Sequence, residues 1–297
     1  MRIIVALLAA VSAAAMAADP PALKTPNDVV AGAPAKDWVA IPAGDLLQIE
    51  LADGRKVVLQ LATQFAPVHV ANIKALARAG WWDGAKIYRV QDNYVVQWGN
   101  NESDKPLPAG VVAKPPAEYS RSLKGLTVVP LGFPDAYAPA VGFSGGWPMA
   151  YDLKDESANL THCYGMVGVG RDLSPDTGTG GELYAVIGHA PRHLDRNIAV
   201  VGRVISGFEA MTALPRGTEA LGFYKDRSSD VPIKSAKLVS DLSPDAQPRF
   251  EYLAGDSFAE YVHLRANRHD AFYIRPAGGV DVCNVGVPVR AVPAPAK

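Results

Sequence analysis

Residues 85–99 read Ala-Lys-Ile-Tyr-Arg-Val-Gln-Asp-Asn-Tyr-Val-Val-Gln-Trp-Gly. The first half has the composition of a β-strand. Strand side chains alternate, which assigns Ile87 and Arg89 to one face and Tyr88 and Val90 to the other. Gln91, Asp92 and Asn93 are turn formers, and Tyr94, Val95 and Val96 begin a second strand that carries Gln97. An arginine on an apolar strand must find acceptors or keep its head in water. A rigid sheet would hold its fork of donors in one place. Arg89, with Gln97 beside it, is therefore the first candidate functional residue, and a structural ion pair of Arg89 is the alternative.

Upstream, Leu46–Leu61 reads as a hairpin. Leu47, Ile49 and Leu51 alternate with polar positions, as do Val57, Leu59 and Leu61, around an Asp53-Gly54 turn. Pro67 suits the first turn of a helix with Val70, Ile73, Leu76 and Ala77 on one face, ended by Gly80. Downstream, 100–162 is a long stretch rich in Pro and Gly, strand-like only at Leu126–Val129. An insertion of this length is often functional. Gly165–Gly170, Leu183–Ile187 and Ile198–Val204 read as strands, Phe208–Leu214 as a short helix, and Ile233–Val239 as a final strand. The order predicts a mainly β protein: a closed barrel over 44–242 capped by two helices. Beyond it, 243–297 carries Phe250, Tyr252, Phe258, Tyr261, Phe272 and Tyr273, and is expected to dock on the barrel as a C-terminal extension.

The chain has 297 residues, 48% of them hydrophobic, and a formal charge of −1, which gives no reason to propose nucleic acid as a partner. Met1-Arg2, the apolar run Ile3–Ala15 and the small-x-small Ala15-Met16-Ala17 read as a signal peptide over 1–17, cut after Ala17. The run is shorter than the roughly 20 residues a spanning helix needs. The sequence thus predicts an exported, periplasmic protein with no membrane span after cleavage. Residues 18–43, rich in Pro, Ala and Gly, read as a flexible leader. The two cysteines, Cys163 and Cys283, fall in the barrel and the extension. In an oxidising compartment they are expected to pair if the extension docks.

Three blocks together resemble the cyclophilin family of peptidyl-prolyl cis–trans isomerases. They are Pro67-Val-His-Val-Ala-Asn72 through Gly84, Ile87-Tyr-Arg-Val90 through Gln97-Trp-Gly99, and Leu194-Asp195 through Val201-Gly202-Arg203-Val204-Ile205-Ser206-Gly207. The resemblance covers roughly 44–242. It implies a cyclophilin-like barrel that accelerates rotation about X-Pro bonds in unfolded or partly folded clients, with no cofactor or metal. By position, Arg89 matches the catalytic arginine and Gln97 the backbone-binding glutamine. Tyr94, Val95, Tyr184 and Leu194 match the residues lining the proline pocket. Gly170 and Arg171 stand where the family often has Ala-Asn, Glu182 where it often has Gln, His193 where many members have Trp, and Ile198 where many have His. These departures concern proline affinity and cyclosporin sensitivity. They also motivate a rival function, a proline-peptide binding module or chaperone with little turnover.

Other signals are weaker. Asp176-Thr177-Gly178 matches the aspartic-protease triplet, but that chemistry needs two carboxylates sharing a proton, and no second copy is present. Gly165, Gly168 and Gly170 are not followed by a helix, as phosphate binding would require. His189 and His193 are separated by Pro191, which argues against a helical metal pair.

Overall fold

Eight antiparallel strands close into a barrel in the computed structural model, which describes residues 23–100 and 105–293. Around the barrel the order is Met166–Val169, Leu183–Val186, Val95–Gly99, Lys86–Val90, Val231–Leu238, Leu46–Leu51, Lys56–Leu61 and Val200–Ser206, and the last pairs back to the first. Leu47, Ile49, Leu59, Ile87, Val96, Trp98, Val167, Leu183 and Val201 fill the interior. The helix Pro67–Arg78 adds Val70, Ile73 and Leu76 to this core, and the single turn Glu209–Thr212 adds Met211. The first hairpin pairs with Ile49 opposite Val57, and Gly54 takes the positive φ of 87° that its turn requires.

One local reading of the sequence is corrected. Ile87 and Val90, not Ile87 and Arg89, point into the barrel, while Tyr88 and Arg89 both face outward. The cause is a β-bulge. Ile87 pairs with Trp98 and Arg89 with Gln97, so Tyr88 is the extra residue opposite no partner. Strict alternation fails at a bulge, and the two neighbours Tyr88 and Arg89 both reach Gln97.

The stretch 100–162 is not a loop with one strand. Residues 121–160 build a five-stranded sheet in the order Arg121–Ser122, Ser157–Leu160, Trp147–Asp152, Ala140–Ser144, Val129–Pro130. The expected strand over Leu126–Val129 is displaced to the two residues Val129–Pro130. The central hairpin turns at Gly145 and Gly146, whose φ values of 54° and 76° suit a two-residue turn. Gly-Pro-rich composition masked strands too short to show a period.

Residues 23–43 are not a flexible leader. Pro26–Gly32 is a helix with a capping box: Asp28 N–H donates to Thr25 Oγ1 at 3.2 Å, and Thr25 N–H to the Asp28 carboxylate at 2.7 Å. Trp38–Ala40 is a strand paired to Arg249–Leu253 in a three-stranded sheet completed by Val289–Val292. Seven residues cannot form a stable helix alone, and tertiary packing of Val29 and Trp38 supplies what local sequence lacks. The expected signal peptide lies outside the described residues.

The added segments share a second core. Val29 and Trp38 from the amino-terminal part meet Phe143, Met149 and Tyr151 from the insertion sheet. Phe258, Tyr261 and Val282 come from the extension, whose main helix is Gly255–Ala266. Cys163 is bonded to Cys283. Four α-helices occur among the described residues, two beside the barrel and two in this second layer. No helix among them is long and apolar enough to cross a membrane.

Candidate active site

Arg89 projects from its strand at the mouth of an open cleft of about 400 Å³ lined by Tyr94, Val95, Gln97, Tyr184, Leu194, Ile198 and Phe223, among others. Its guanidinium has three acceptors. Nε donates to Leu221 O at 2.7 Å, Nη1 to Gln97 Oε1 at 2.9 Å, and Nη2 to Gln91 Oε1. It also lies over the Tyr94 and Phe223 rings, 6.0 and 5.6 Å from their centroids. Partial burial pushes its pKa down from the ordinary value, opposed by nearby Tyr94, Tyr88 and Tyr184. Among the described residues no carboxylate is a partner of its guanidinium, so the expected alternative, a structural ion pair, is not made there.

Beside it, Val95, Tyr184 and Val186 form a small apolar cluster with Tyr94 and Ile198 packed against it. Alternation puts Val95 and Gln97 on this face and Val96 and Trp98 in the barrel. It does the same for Tyr184 against Leu183 and Ala185. Gly168 makes the ring of Tyr184 possible, since a Cβ there would overlap the phenol. Tyr184 Oη is 3.0 Å from His162 Nε2, and His162 Nδ1 is 2.8 Å from Asp195 Oδ1. Asp195 pairs with Arg192, which makes two 3.0 Å bonds to Asp135. The hydroxyl that enters an apolar pocket is therefore satisfied from behind, as burial requires. Burial also pushes the Tyr184 pKa up.

A second chain of polar groups runs on the other side. Gln97 Nε2 donates to Tyr88 Oη at 2.7 Å, and Tyr88 Oη donates to Glu182 Oε2 at 2.6 Å. Burial pushes the Glu182 carboxyl up to about 7, against the lowering effects of the Tyr88 hydroxyl and the Asn100 amide. Gly99 leaves the space that this carboxylate fills.

Of the residues singled out from sequence, Arg89, Gln97, Tyr94, Val95, Gly170, Arg171, Tyr184, Leu194 and Ile198 line the one cleft. Glu182 sits behind Gln97. His193 is stacked on Tyr94 at 6.3 Å, with the rings 4° from parallel. Arg171 is held at the rim by Asn197 O, at 3.1 and 2.9 Å. Sequence reasoning missed Phe223 and Leu221, which stand in a stretch without periodicity. Phe223 arrives through an isolated bridge to Arg89. It also missed the roles of Tyr88 and His162, each visible only once partners from other strands are present.

The family model for cyclophilin type peptidyl-prolyl cis-trans isomerases matches residues 46–238. The chain belongs to this family. It is a cyclophilin-type isomerase, and the barrel and its cleft are the part matched. Proteins named probable peptidyl-prolyl cis-trans isomerase from Brucella suis and Brucella abortus are each 26% identical to it over 172 residues, covering 58% of this chain and 72% of theirs. A crystal structure of a cyclophilin from Hirschia baltica, at 22% identity, superposes with a TM-score of 0.66 over 91% of this isomerase and 98% of that chain. That likeness in fold extends beyond the barrel to the added segments.

Proposed function

We propose that this isomerase accelerates X-Pro rotation through Arg89, acting as a fixed donor to the twisted amide. The observation that carries this is the guanidinium held by Leu221 O and Gln97 Oε1 beside the apolar cluster. Rotation about a peptide bond is opposed by resonance worth about 18–20 kcal/mol, while the cis and trans ends of X-Pro are nearly balanced. Midway, the proline nitrogen regains a lone pair. A donor aimed there stabilises the twisted state more than either planar one, and only such differential binding speeds the step. Tyr94, Val95, Tyr184, Leu194 and Ile198 grip the ring, Gln97 holds the preceding backbone, and Gly170, Arg171 and His193 form the rim. The chemistry calls for no proton transfer, nucleophile or metal. In Arg89→Ala the rate should fall by about 10²–10³ while the fold survives. An unchanged rate in a folded variant would sink the mechanism.

We further infer that the substrates are unfolded or partly folded exported proteins, met in the periplasm after cleavage behind Ala17. The amino-terminal pattern and the Cys163–Cys283 bond support this, since disulfides persist in oxidising compartments. Amino-terminal sequencing of protein recovered from the periplasmic fraction should begin at Ala18. A chain still carrying Met1 in the cytosol would refute export.

A further inference from the structure

We infer that Glu182 is a positioning residue for the isomerase, because its carboxylate sets the direction of every hydrogen bond from Tyr88 through Gln97 to Arg89. This rests on Arg89 being the donor to the twisted amide.

An ionised carboxylate only accepts. Glu182 therefore takes the single proton of Tyr88 Oη, at 2.6 Å. The phenol oxygen is left as an acceptor, and it receives Gln97 Nε2 at 2.7 Å. With the amide nitrogen committed, Gln97 must present Oε1 to the cleft, where it accepts from Arg89 Nη1 at 2.9 Å. One acceptor at the buried end thus fixes which way the glutamine amide points and where one arm of the guanidinium rests. A protonated Glu182 is instead a donor. Its O–H can turn to Tyr88 Oη, the phenol proton then turns to Gln97 Oε1, and the amide flips its N–H₂ toward the guanidinium. Donor would face donor, and Arg89 would lose that anchor.

The site is built for the carboxylate. Gly99 has no Cβ to collide with it, and Gly170 N–H holds the Glu182 backbone oxygen at 2.8 Å. Trp81 and Trp82 indoles both donate to the adjacent Gly181 O. Among the described residues the groups that hydrogen-bond the carboxylate are the Tyr88 hydroxyl and the Asn100 amide. Other titratable groups of the site are Arg89 and Tyr94 in the cleft, Arg171 at its rim, His162 behind Tyr184 and His193 on Tyr94. Burial holds the Glu182 carboxyl up at about 7, so the direction of the chain changes within the ordinary working range of pH.

The sign follows directly. Above about pH 7 Glu182 is ionised and the chain is ordered toward Arg89. Below it the order is lost. In the wild-type protein kcat/KM on a short X-Pro peptide should fall about tenfold from pH 8 to pH 6, as the ionised fraction does. Glu182→Gln keeps an acceptor for Tyr88 without a titrating proton, so its profile should be flat over that range. Tyr88→Phe cuts the chain and should also remove the inflection. The Gln97 side-chain NH₂ resonances, followed by NMR, should titrate through about pH 7 in the wild type and not in Glu182→Gln. A flat wild-type profile overturns the inference, and so does an inflection that survives in Glu182→Gln, which would belong to another group. If Arg89→Ala keeps full activity while the Gln97 resonances titrate as stated, the donor role of Arg89 fails and the hydrogen-bond order stands.

Discussion

His193 lies flat against Tyr94, at a position where many cyclophilins carry a tryptophan. An imidazole offers less apolar area than an indole, and the indole N–H is gone. Cyclosporin should therefore inhibit weakly, and His193→Trp should tighten inhibition by about tenfold, the equivalent of burying one more ring's worth of apolar surface. A nanomolar inhibition constant for the wild type would show that the position matters little. Glu182 makes a separate prediction about stability. Burial holds its pKa up at about 7, above the ordinary carboxylate value of 4.5, so between those values the folded state holds a proton that the unfolded state has released. Stability from this group is thus present at low pH and lost as pH rises through about 7. Glu182→Gln should be more stable than wild type at pH 8, on the order of 2–3 kcal/mol, with the advantage gone near pH 4. Urea unfolding at the two pH values checks this. The residue that orders the site costs the fold some stability, a usual bargain at functional positions.

At the scale of elements, the insertion sheet is wired to the pocket rather than merely packed near it. Asp135, just before the strand Ala140–Ser144, holds Arg192, and Arg192 holds Asp195. Asp195 in turn holds His162 at the end of the insertion, and His162 meets the Tyr184 hydroxyl. All of these side chains are buried. Removing one partner of a buried ion pair leaves an uncompensated charge. Asp135→Ala should therefore destabilise by about 3 kcal/mol, measured by denaturant unfolding. Tyr184→Phe keeps the ring in the pocket and strands His162 Nε2. It should lower stability by about 1–3 kcal/mol while turnover changes only a few-fold. A large loss of turnover with unchanged stability would mean the hydroxyl acts on substrate instead. The helix Pro67–Arg78 is tied to the insertion in the same manner. Its Val68 and His69 N–H groups donate to the Glu118 carboxylate, each at 2.9 Å, which fills the place of an N-cap that Ala66 cannot supply. His69 is fully buried there, its ring bonded to Glu118 and Thr177.

Across the whole molecule, the segments outside the barrel converge on one second core. The amino-terminal helix packs against Gly255–Ala266. Asp37 accepts from Ser257 N at 3.1 Å and caps that helix from a distant part of the chain. The Cys163–Cys283 bond closes the assembly across 120 residues. In the chain-entropy account such a bond contributes up to about 4–5 kcal/mol. Replacing both cysteines by serine should lower the thermal midpoint clearly, and reductant should do the same to the wild type. Equal midpoints with and without reductant would show that the second core holds without it. Arg89 turnover should survive reduction, because neither cysteine is among the cleft-lining residues.

What the sequence determined by itself was whatever depends on periodicity and on short, ordered motifs. The first hairpin, the helix after Pro67 and the barrel strands all follow from apolar residues at period 2 or 3.6, with Gly or Pro at their ends. The turn at 91–93 set Arg89 and Gln97 on adjacent strands, and the resemblance to the cyclophilin motif named both as site candidates. Tertiary structure alone decided the rest. The bulge at Tyr88 is a mismatch between two strands, so no single strand encodes it. The helix Pro26–Gly32 and the strands of 121–160 are too short to carry a period, and exist because they share a core with residues more than a hundred positions away. Glu182, Tyr88 and Gln97 come from three different strands or their ends. Their order as donors and acceptors is a property of the closed barrel, since only closure brings Leu183–Val186 beside Val95–Gly99 and Lys86–Val90.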